Sequence, residues 1–139
     1  MRIDPQLLLA RTILKEQSMP GSTGGALVHI NPILNVSDLR ASIKFYTEVL
    51  DFELLGTFGD PADFGIIRWD DHEIYLCVNG QGQPGTWLAL FVSKPAALYD
   101  RLVTDEAKVL MPYAGDDGEF RVADPDGHVL RVFPGSPEE

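Results

Sequence analysis

The sequence predicts an α+β domain made of two successive modules, each with a strand, a helix and three further strands. Extended apolar runs and amphipathic helical patterns follow one another in the same order in both halves, although the halves share no obvious residue-level identity. A stretch rich in Gly, Pro and Gln at residues 79–85 separates them, as expected for a linker. The length of 139 residues and the hydrophobic content of 45% fit one globular domain.

Residues 1–25 are predicted to form a helical extension and a linker, ahead of a domain at residues 26–136. Asp4 before Pro5 is typical of a helix start, because Asp caps free N–H groups and Pro is tolerated in the first turn. Apolar residues then recur at helical spacing up to Leu14. A helix of this length is marginal alone in water, so its apolar stripe is expected to dock on the domain or on a partner chain.

The first module opens with an extended apolar run at Val28–Val36, followed by a helix for which Ser37 or Asp38 supplies the N-cap. The helical face consists of apolar residues at i, i+4, i+7 and i+11, namely Leu39, Ile43, Tyr46 and Leu50. Three short strands are predicted to follow, at Phe52–Phe58, Phe64–Asp70 and Glu73–Val78.

The second module repeats this order. A strand at Thr86–Ser93 is followed by a helix that begins at Pro95, with Leu98, Leu102 and Val103 on its apolar face. Three strands are predicted after it, at Val109–Met111, Phe120–Ala123 and His128–Phe133. The last two form a hairpin around Asp124-Pro125-Asp126-Gly127, where Pro and Gly are typical turn residues.

The net charge of -10 and the pI of about 4.6 argue against nucleic acid as a partner, because phosphate binding needs a basic surface. No apolar run approaches the roughly 20 residues that span a bilayer, so no membrane association is expected. The N-terminus lacks a signal-peptide pattern, and the single cysteine, Cys77, cannot form an internal disulfide. These features predict a cytoplasmic protein.

Two motifs resemble a known superfamily. Asn35-Val36-Ser37-Asp38-Leu39, with Ser42 and Phe45-Tyr46 after it, is similar to the opening of the glyoxalase/bleomycin resistance protein/extradiol dioxygenase (vicinal oxygen chelate) superfamily. The hairpin Asp124-Pro125-Asp126-Gly127-His128 is similar to its closing hairpin. The resemblance implies two βαβββ modules that form a curled mixed sheet around a cleft. The segments Phe64–Arg68 and Thr86–Val92 look most like those of bleomycin resistance proteins, which are homodimers that trap a drug in a groove between subunits.

The resemblance also indicates where metal enzymes of this superfamily carry one ligand on each of four strands. The corresponding positions here are Asn31, Tyr75, Trp87 and Arg131. Indole offers no lone pair, and a guanidinium is a permanent cation that repels a divalent ion. We therefore predict no metal, no cofactor and no catalytic residue of that type.

Strand alternation predicts which side chains line the cleft. On the first strand of the second module, the aliphatic residues face the helices and Trp87 and Phe91 face the cleft, together with Arg131 from the last strand. Arg131 is expected to pair with Glu73 or with an anionic ligand group. The predicted ligand-binding residues are Asn31, Phe58, Phe64, Tyr75, Trp87, Phe91 and Arg131, and the predicted acidic residues at the rim are Asp60, Asp63 and Asp117.

These observations favour a metal-free protein of the bleomycin-resistance type that sequesters an aromatic or cationic small molecule in a cleft at a dimer interface. Aromatic faces bind planar rings or cations, and an acidic surface attracts positive ligands. The alternative is a glyoxalase-, lyase- or dioxygenase-type enzyme with a displaced metal site, for which His29, Glu73 and His128 are the candidate donors. A third hypothesis is a protein-interaction module that uses the N-terminal helix.

Overall fold

The computed structural model describes residues 23–80, 82–115 and 118–136. The chain divides into two compact units. One of them, residues 31–135, contains every described helix and strand. The other includes residues 23–30, which are exposed and form neither helix nor strand. The predicted N-terminal helix lies outside the described residues, so the helical extension and the boundary at residue 26 remain predictions.

The first module contains β1 (Ile33–Val36), α1 (Leu39–Lys44) and a π-helical turn at Phe45–Val49 that continues α1. Three antiparallel strands follow, namely β2 (Glu53–Gly59), β3 (Ala62–Trp69) and β4 (His72–Val78). The strand order in the sheet is β1-β4-β3-β2, with β1 parallel to β4. The predicted βαβββ order is confirmed for this module.

Two details of the first module refine the sequence prediction. Asp38, rather than Ser37, caps α1, because its Oδ1 accepts a hydrogen bond from the amide of Ala41 at 3.1 Å. The strand predicted from Val28 begins only at Ile33. Pro32, the residue before it, has no N–H to donate to a strand ladder.

The second module has the same order. It contains β5 (Trp87–Val92), α2 (Pro95–Thr104), β6 (Lys108–Met111), β7 (Phe120–Ala123) and β8 (Val129–Pro134). The strand order is β5-β8-β7-β6, with β5 parallel to β8. Each module therefore forms its own four-stranded mixed sheet. Among the described residues, no helix combines the length and the apolar character needed to cross a membrane.

The apolar face of α2 is narrower than the sequence predicts. Leu98 and Leu102 are buried, but Val103 is 51% exposed. An α-helix turns by about 100° per residue, so the side chain after Leu102 points well away from the core. The prediction that Val103 belongs to the packed face is wrong.

One core joins the two modules. It contains the inward-facing residues of both sheets and of both helical segments, and its fully buried members include Leu34, Tyr46, Ile67, Leu102, Phe120 and Leu130. Tyr46 packs edge-on against two neighbouring rings, with centroid distances of 5.2 Å to Phe45 and 5.5 Å to Phe52. Such edge-to-face pairs stabilise a core beyond the area they bury.

The turn between β7 and β8 is anchored by the buried side chain of Asp124. Its Oδ1 accepts hydrogen bonds from the amides of Asp126 and His128, both at 2.9 Å. Its Oδ2 accepts a 2.8 Å hydrogen bond from the hydroxyl of Tyr46 in the first module. Burial, reinforced by this carboxylate, raises the pKa of Tyr46 well above its usual range. Tyr46 therefore keeps its proton and donates a hydrogen bond to Asp124.

The same turn also contacts the start of α1. The carboxylate of Asp126 accepts hydrogen bonds from the amide of Ser37 at 2.9 Å and from the hydroxyl of Ser42 at 3.3 Å. The opening motif and the closing hairpin are about 85 residues apart in sequence, yet they meet through these contacts. Both motifs thus hold the two modules together.

Candidate ligand-binding site

Each sheet packs one face into the core. Its other face is largely uncovered in a single chain, and we call it the open face of that sheet. In the second sheet, Leu130 and Val132 are fully buried, whereas Trp87 and Phe91 are 56% and 69% exposed. Successive side chains of a strand point to opposite faces, so the uncovered residues recur at every second position. This confirms the alternation that the sequence predicts for β5.

The open face of the first sheet carries three of the predicted rings. The rings of Phe58 and Phe64 lie 6.0 Å apart, and those of Phe64 and Tyr75 lie 5.5 Å apart. The strand register explains this row, because Phe58 pairs with Phe64 on the neighbouring strand. Asn31 joins the group by donating from Nδ2 to the hydroxyl of Tyr75 at 3.0 Å.

Acidic side chains accompany the rings of the first sheet. Two of the predicted rim acids are exposed, Asp60 in the β2–β3 turn and Asp63 as the second residue of β3. Further along the face, Arg68 lies between Glu53 and Glu73 in the strand register and forms a 2.7 Å ion pair with Glu53. The described part of this face therefore carries more carboxylates than cations. The third predicted rim acid, Asp117, lies outside the described residues.

The open face of the second sheet combines rings with guanidinium groups. The rings of Phe91 and Phe133 stack at 5.0 Å with an interplanar angle of 18°. The guanidinium of Arg131 lies 5.0 Å from the centroid of Phe133, and that of Arg121 lies 5.6 Å from the centroid of Trp87. At these distances each cation is attracted to the negative face of its ring.

A single carboxylate, that of Glu119, binds both guanidinium groups. Arg131 donates to it from Nε at 2.9 Å and from Nη2 at 2.7 Å, and Arg121 donates from the same two atoms at 3.2 Å each. Arg121 and Arg131 are direct partners on adjacent strands, where like charges repel. Glu119 offsets that repulsion. The expected pairing of Arg131 with Glu73 is wrong, because Glu73 lies in the other sheet beside Arg68.

Glu119, Arg121 and Phe133 are absent from the residues predicted from sequence. Strand alternation provides a signal for two of them, since Arg121 and Phe133 occupy the same face as Arg131. Glu119 precedes β7, and no periodic pattern covers it. Only the folded chain reveals its role.

The pH dependence of the protein's stability is expected to reveal the contribution of the Glu119 ion pairs. Hydrogen bonds from Arg131 and Arg121 lower the pKa of this carboxyl from 4.5 to about 2. In the unfolded chain the carboxyl takes up its proton near pH 4.5, so its stabilising effect is complete above that pH and is lost as the pH falls to about 2. We expect the difference in thermal unfolding midpoint between wild type and Glu119→Gln to shrink across this window.

The control for this measurement is Glu48→Gln, which alters an exposed carboxylate in the π-helical turn. Its unfolding midpoint is expected to stay close to that of wild type. A difference between wild type and Glu119→Gln that stays constant from pH 6 to pH 2 would contradict the role assigned to Glu119.

The predicted ligand-binding residues thus fall into two groups on two sheets. Asn31, Phe58, Phe64 and Tyr75 belong to the first, and Trp87, Phe91 and Arg131 to the second. Among the described residues, no ring of one group contacts a ring of the other. The folded chain brings each group together on its own sheet.

Comparison with known families identifies the chain's relatives. Residues 26–132 match the sequence profile described as the Glyoxalase/Bleomycin resistance protein/Dioxygenase superfamily. The chain belongs to this superfamily. As its description indicates, the superfamily contains both enzymes and binding proteins. No curated protein sequence matches the chain significantly.

Solved structures of the superfamily fold are similar to the chain. TioX from Micromonospora sp. ML1 has a TM-score of 0.69 at 15% identity, over 79% of this chain and 98% of that one. A bleomycin-binding protein in complex with bleomycin has a TM-score of 0.62 at 15% identity, over 79% of this chain and 100% of that one. The bleomycin-binding protein of bleomycin-producing Streptomyces verticillus, in complex with copper(II)-bleomycin, has a TM-score of 0.60 at 26% identity, over 81% of this chain and 99% of that one.

At the four positions that the sequence resemblance predicts for metal ligands, the side chains of this chain do not fit a metal ion. Arg131 is a permanent cation already bound to Glu119, and Trp87 has no lone pair to offer. Asn31 directs its amide nitrogen, a donor, to Tyr75. In the described parts of the chain, no three His, Cys, Asp or Glu side chains are grouped as metal ligands.

His128, a candidate donor for a displaced metal site, is buried and uses both ring nitrogens. The amide of Thr86 donates to Nδ1 at 3.0 Å, so Nδ1 carries no proton. Nε2 then carries the proton and donates to the carbonyl oxygen of Asn35 at 2.8 Å. Neither nitrogen has a lone pair left for a metal, and the ring instead links β1 to β5 and β8.

Proposed function

We propose that this protein binds a small aromatic or cationic molecule without transforming it, as the bleomycin-binding members of its superfamily bind their drug. The observation that carries the proposal is the set of rings on the two open faces. Trp87, Phe91 and Phe58 are each more than half exposed, although burying such side chains stabilises a fold by about 1.5–3 kcal/mol each. Rings left uncovered on a sheet face are typical of a surface that receives a ligand or a partner.

We further propose that the cleft forms between two copies of the chain, with the first sheet of one copy opposite the second sheet of the other. Charge supports this pairing. The first open face carries Glu53 and Glu73 on either side of Arg68, whereas the second carries Arg121 and Arg131 around one carboxylate. Faces of opposite charge attract each other and fix the orientation of the two copies. The ligand would then contact rings from both sheets.

An enzymatic role with a displaced metal site has less support. His128 is engaged through both nitrogens, and Glu73 lies beside Arg68. His29 lies in the other compact unit.

The presence of a single cysteine, Cys77, which cannot form an internal disulfide, supports placing the binding protein in the cytoplasm.

The test is a calorimetric titration with metal-free bleomycin and with proflavine, a planar aromatic cation. We expect at least one of them to bind, and we expect Trp87→Ala to weaken that binding about tenfold through loss of a stacking surface. Val103→Ala is the matched control, because Val103 is exposed to a similar degree on a helix away from the open faces. Its affinity is expected to equal that of wild type.

Sedimentation velocity on the same samples tests the dimer. A dimer is expected at the concentrations used for the titration. Absence of binding by both compounds, or equal affinity in Trp87→Ala and wild type, would contradict the proposed site. A monomer that binds with full affinity would contradict only the cleft between copies.

A further inference from the structure

The guanidinium groups of the second open face retain hydrogen-bonding capacity. A guanidinium has five N–H donors, and Glu119 receives one from Nε and one from Nη2 of each arginine. Among the described residues, no other acceptor binds Arg121 or Arg131. Their side chains are 31% and 38% exposed, whereas Glu119 is only 15% exposed beneath them. The side chains that carry the remaining N–H groups are therefore partly exposed to solvent.

Among the described residues, the charge of this cluster is positive. Two guanidinium groups share one carboxylate, so this cluster carries an excess cation although the whole protein has a net charge of -10. At physiological ionic strength charges are screened over about 8 Å, so a group bound at the cluster responds mainly to the cluster itself. The paired N–H donors of a guanidinium match the spacing of two oxygens of a carboxylate, sulfonate or phosphate group.

Exposed rings flank the cluster on the same face. Trp87 and Phe91 lie four residues apart on β5, about 13 Å along the strand. Ala89 lies between them and pairs with Arg131. Ala89 is exposed and has a small side chain, so no large side chain of β5 stands between the two rings.

We propose that the second open face binds the oxyanion of a planar aromatic ligand. The ring lies against Trp87 or Phe91, and the oxyanion accepts hydrogen bonds from Arg121 and Arg131. This inference rests on the proposed binding function and narrows its ligand to an aromatic molecule that carries a carboxylate, sulfonate or phosphate group. Glu119 then has two effects, because it orients both guanidinium groups and also competes with the ligand for them.

The test compares three probes with the same ring and different charge. They are 2-naphthoate, the neutral 2-naphthamide and the cationic 2-naphthylmethylammonium, each titrated calorimetrically into the full chain. We expect 2-naphthoate to bind about tenfold more tightly than the amide, since hydrogen bonds between charged groups are the stronger ones. The double variant Arg121→Gln/Arg131→Gln is expected to reduce the affinity for 2-naphthoate to that for the amide.

Two further variants make the test specific. Glu119→Gln is expected to tighten 2-naphthoate binding, because it removes the competing carboxylate while keeping a hydrogen-bond acceptor. Arg101→Gln is the matched control, since Arg101 forms a 2.7 Å ion pair with Asp51 at a helix rather than on an open face. We expect it to bind all three probes as wild type does.

The outcomes separate this inference from the proposed function. Equal affinity for all three probes, or a preference for the ammonium probe, would overturn the oxyanion site and leave an aromatic-binding cleft in place. Retention of the naphthoate preference in the double variant would also overturn it. If no naphthalene probe, bleomycin or proflavine binds, both the oxyanion site and the proposed function are overturned.

Discussion

Replacing Asp124 with Ala is expected to lower the free energy of unfolding by about 3 kcal/mol or more. The carboxylate of Asp124 is buried and accepts three hydrogen bonds, from Tyr46, Asp126 and His128. Its loss leaves buried donors without a partner and releases the turn that joins the two modules. Urea unfolding followed by circular dichroism measures the effect.

Two variants serve as controls for Asp124→Ala. Asp124→Asn keeps the shape and an acceptor oxygen for the two turn amides, so its loss should be smaller, about 1–2 kcal/mol. Asp100→Asn changes an exposed carboxylate on α2 and is expected to stay within about 0.5 kcal/mol of wild type. If Asp124→Ala were no less stable than Asp100→Asn, the turn would not hold the modules together.

Replacing His128 with Ala is expected to lower the free energy of unfolding by about 3 kcal/mol. The substitution creates a cavity in place of a fully buried ring. It also leaves the amide of Thr86 and the carbonyl of Asn35 without their side-chain partner. His72→Ala, at an exposed position at the start of β4, is the matched control and should change stability by less than about 0.5 kcal/mol.

Unfolding of wild type and His128→Ala with and without EDTA distinguishes a structural ring from a metal ligand. If His128 only bridges backbone groups, EDTA leaves both midpoints unchanged. A midpoint that EDTA lowers in wild type and not in His128→Ala would contradict the bridging role and favour the displaced metal site.

The order of elements was predictable because each element has a local signal. Asp38 before an apolar helical face, Pro95 at the start of α2 and the Asp124–Gly127 turn each specify a local backbone conformation. Burial of Leu39, Tyr46 and Leu50 follows from helical periodicity. Boundaries were less predictable, as the late start of β1 at Ile33 shows, because they depend on where a neighbouring strand offers a partner.

The candidate site was predictable only in part. Alternation placed Trp87, Phe91 and Arg131 on one face, because the two-residue period of a strand is a property of the chain itself. The partner of Arg131 was not predictable. Glu119 lies 12 residues before it, in a segment without periodicity, and only strand pairing brings the two together.

The sequence by itself therefore determines the two βαβββ modules, the superfamily and the alternating faces of the strands, since all of these follow from local periodicity and short motifs. The tertiary structure decided which distant residues meet. It placed Asp124 against Tyr46, used both nitrogens of His128 for backbone contacts and bound Arg121 and Arg131 to one carboxylate. The physical reason is that hydrogen bonds and ion pairs act over about 3 Å, and only the packed sheets bring these side chains within that distance.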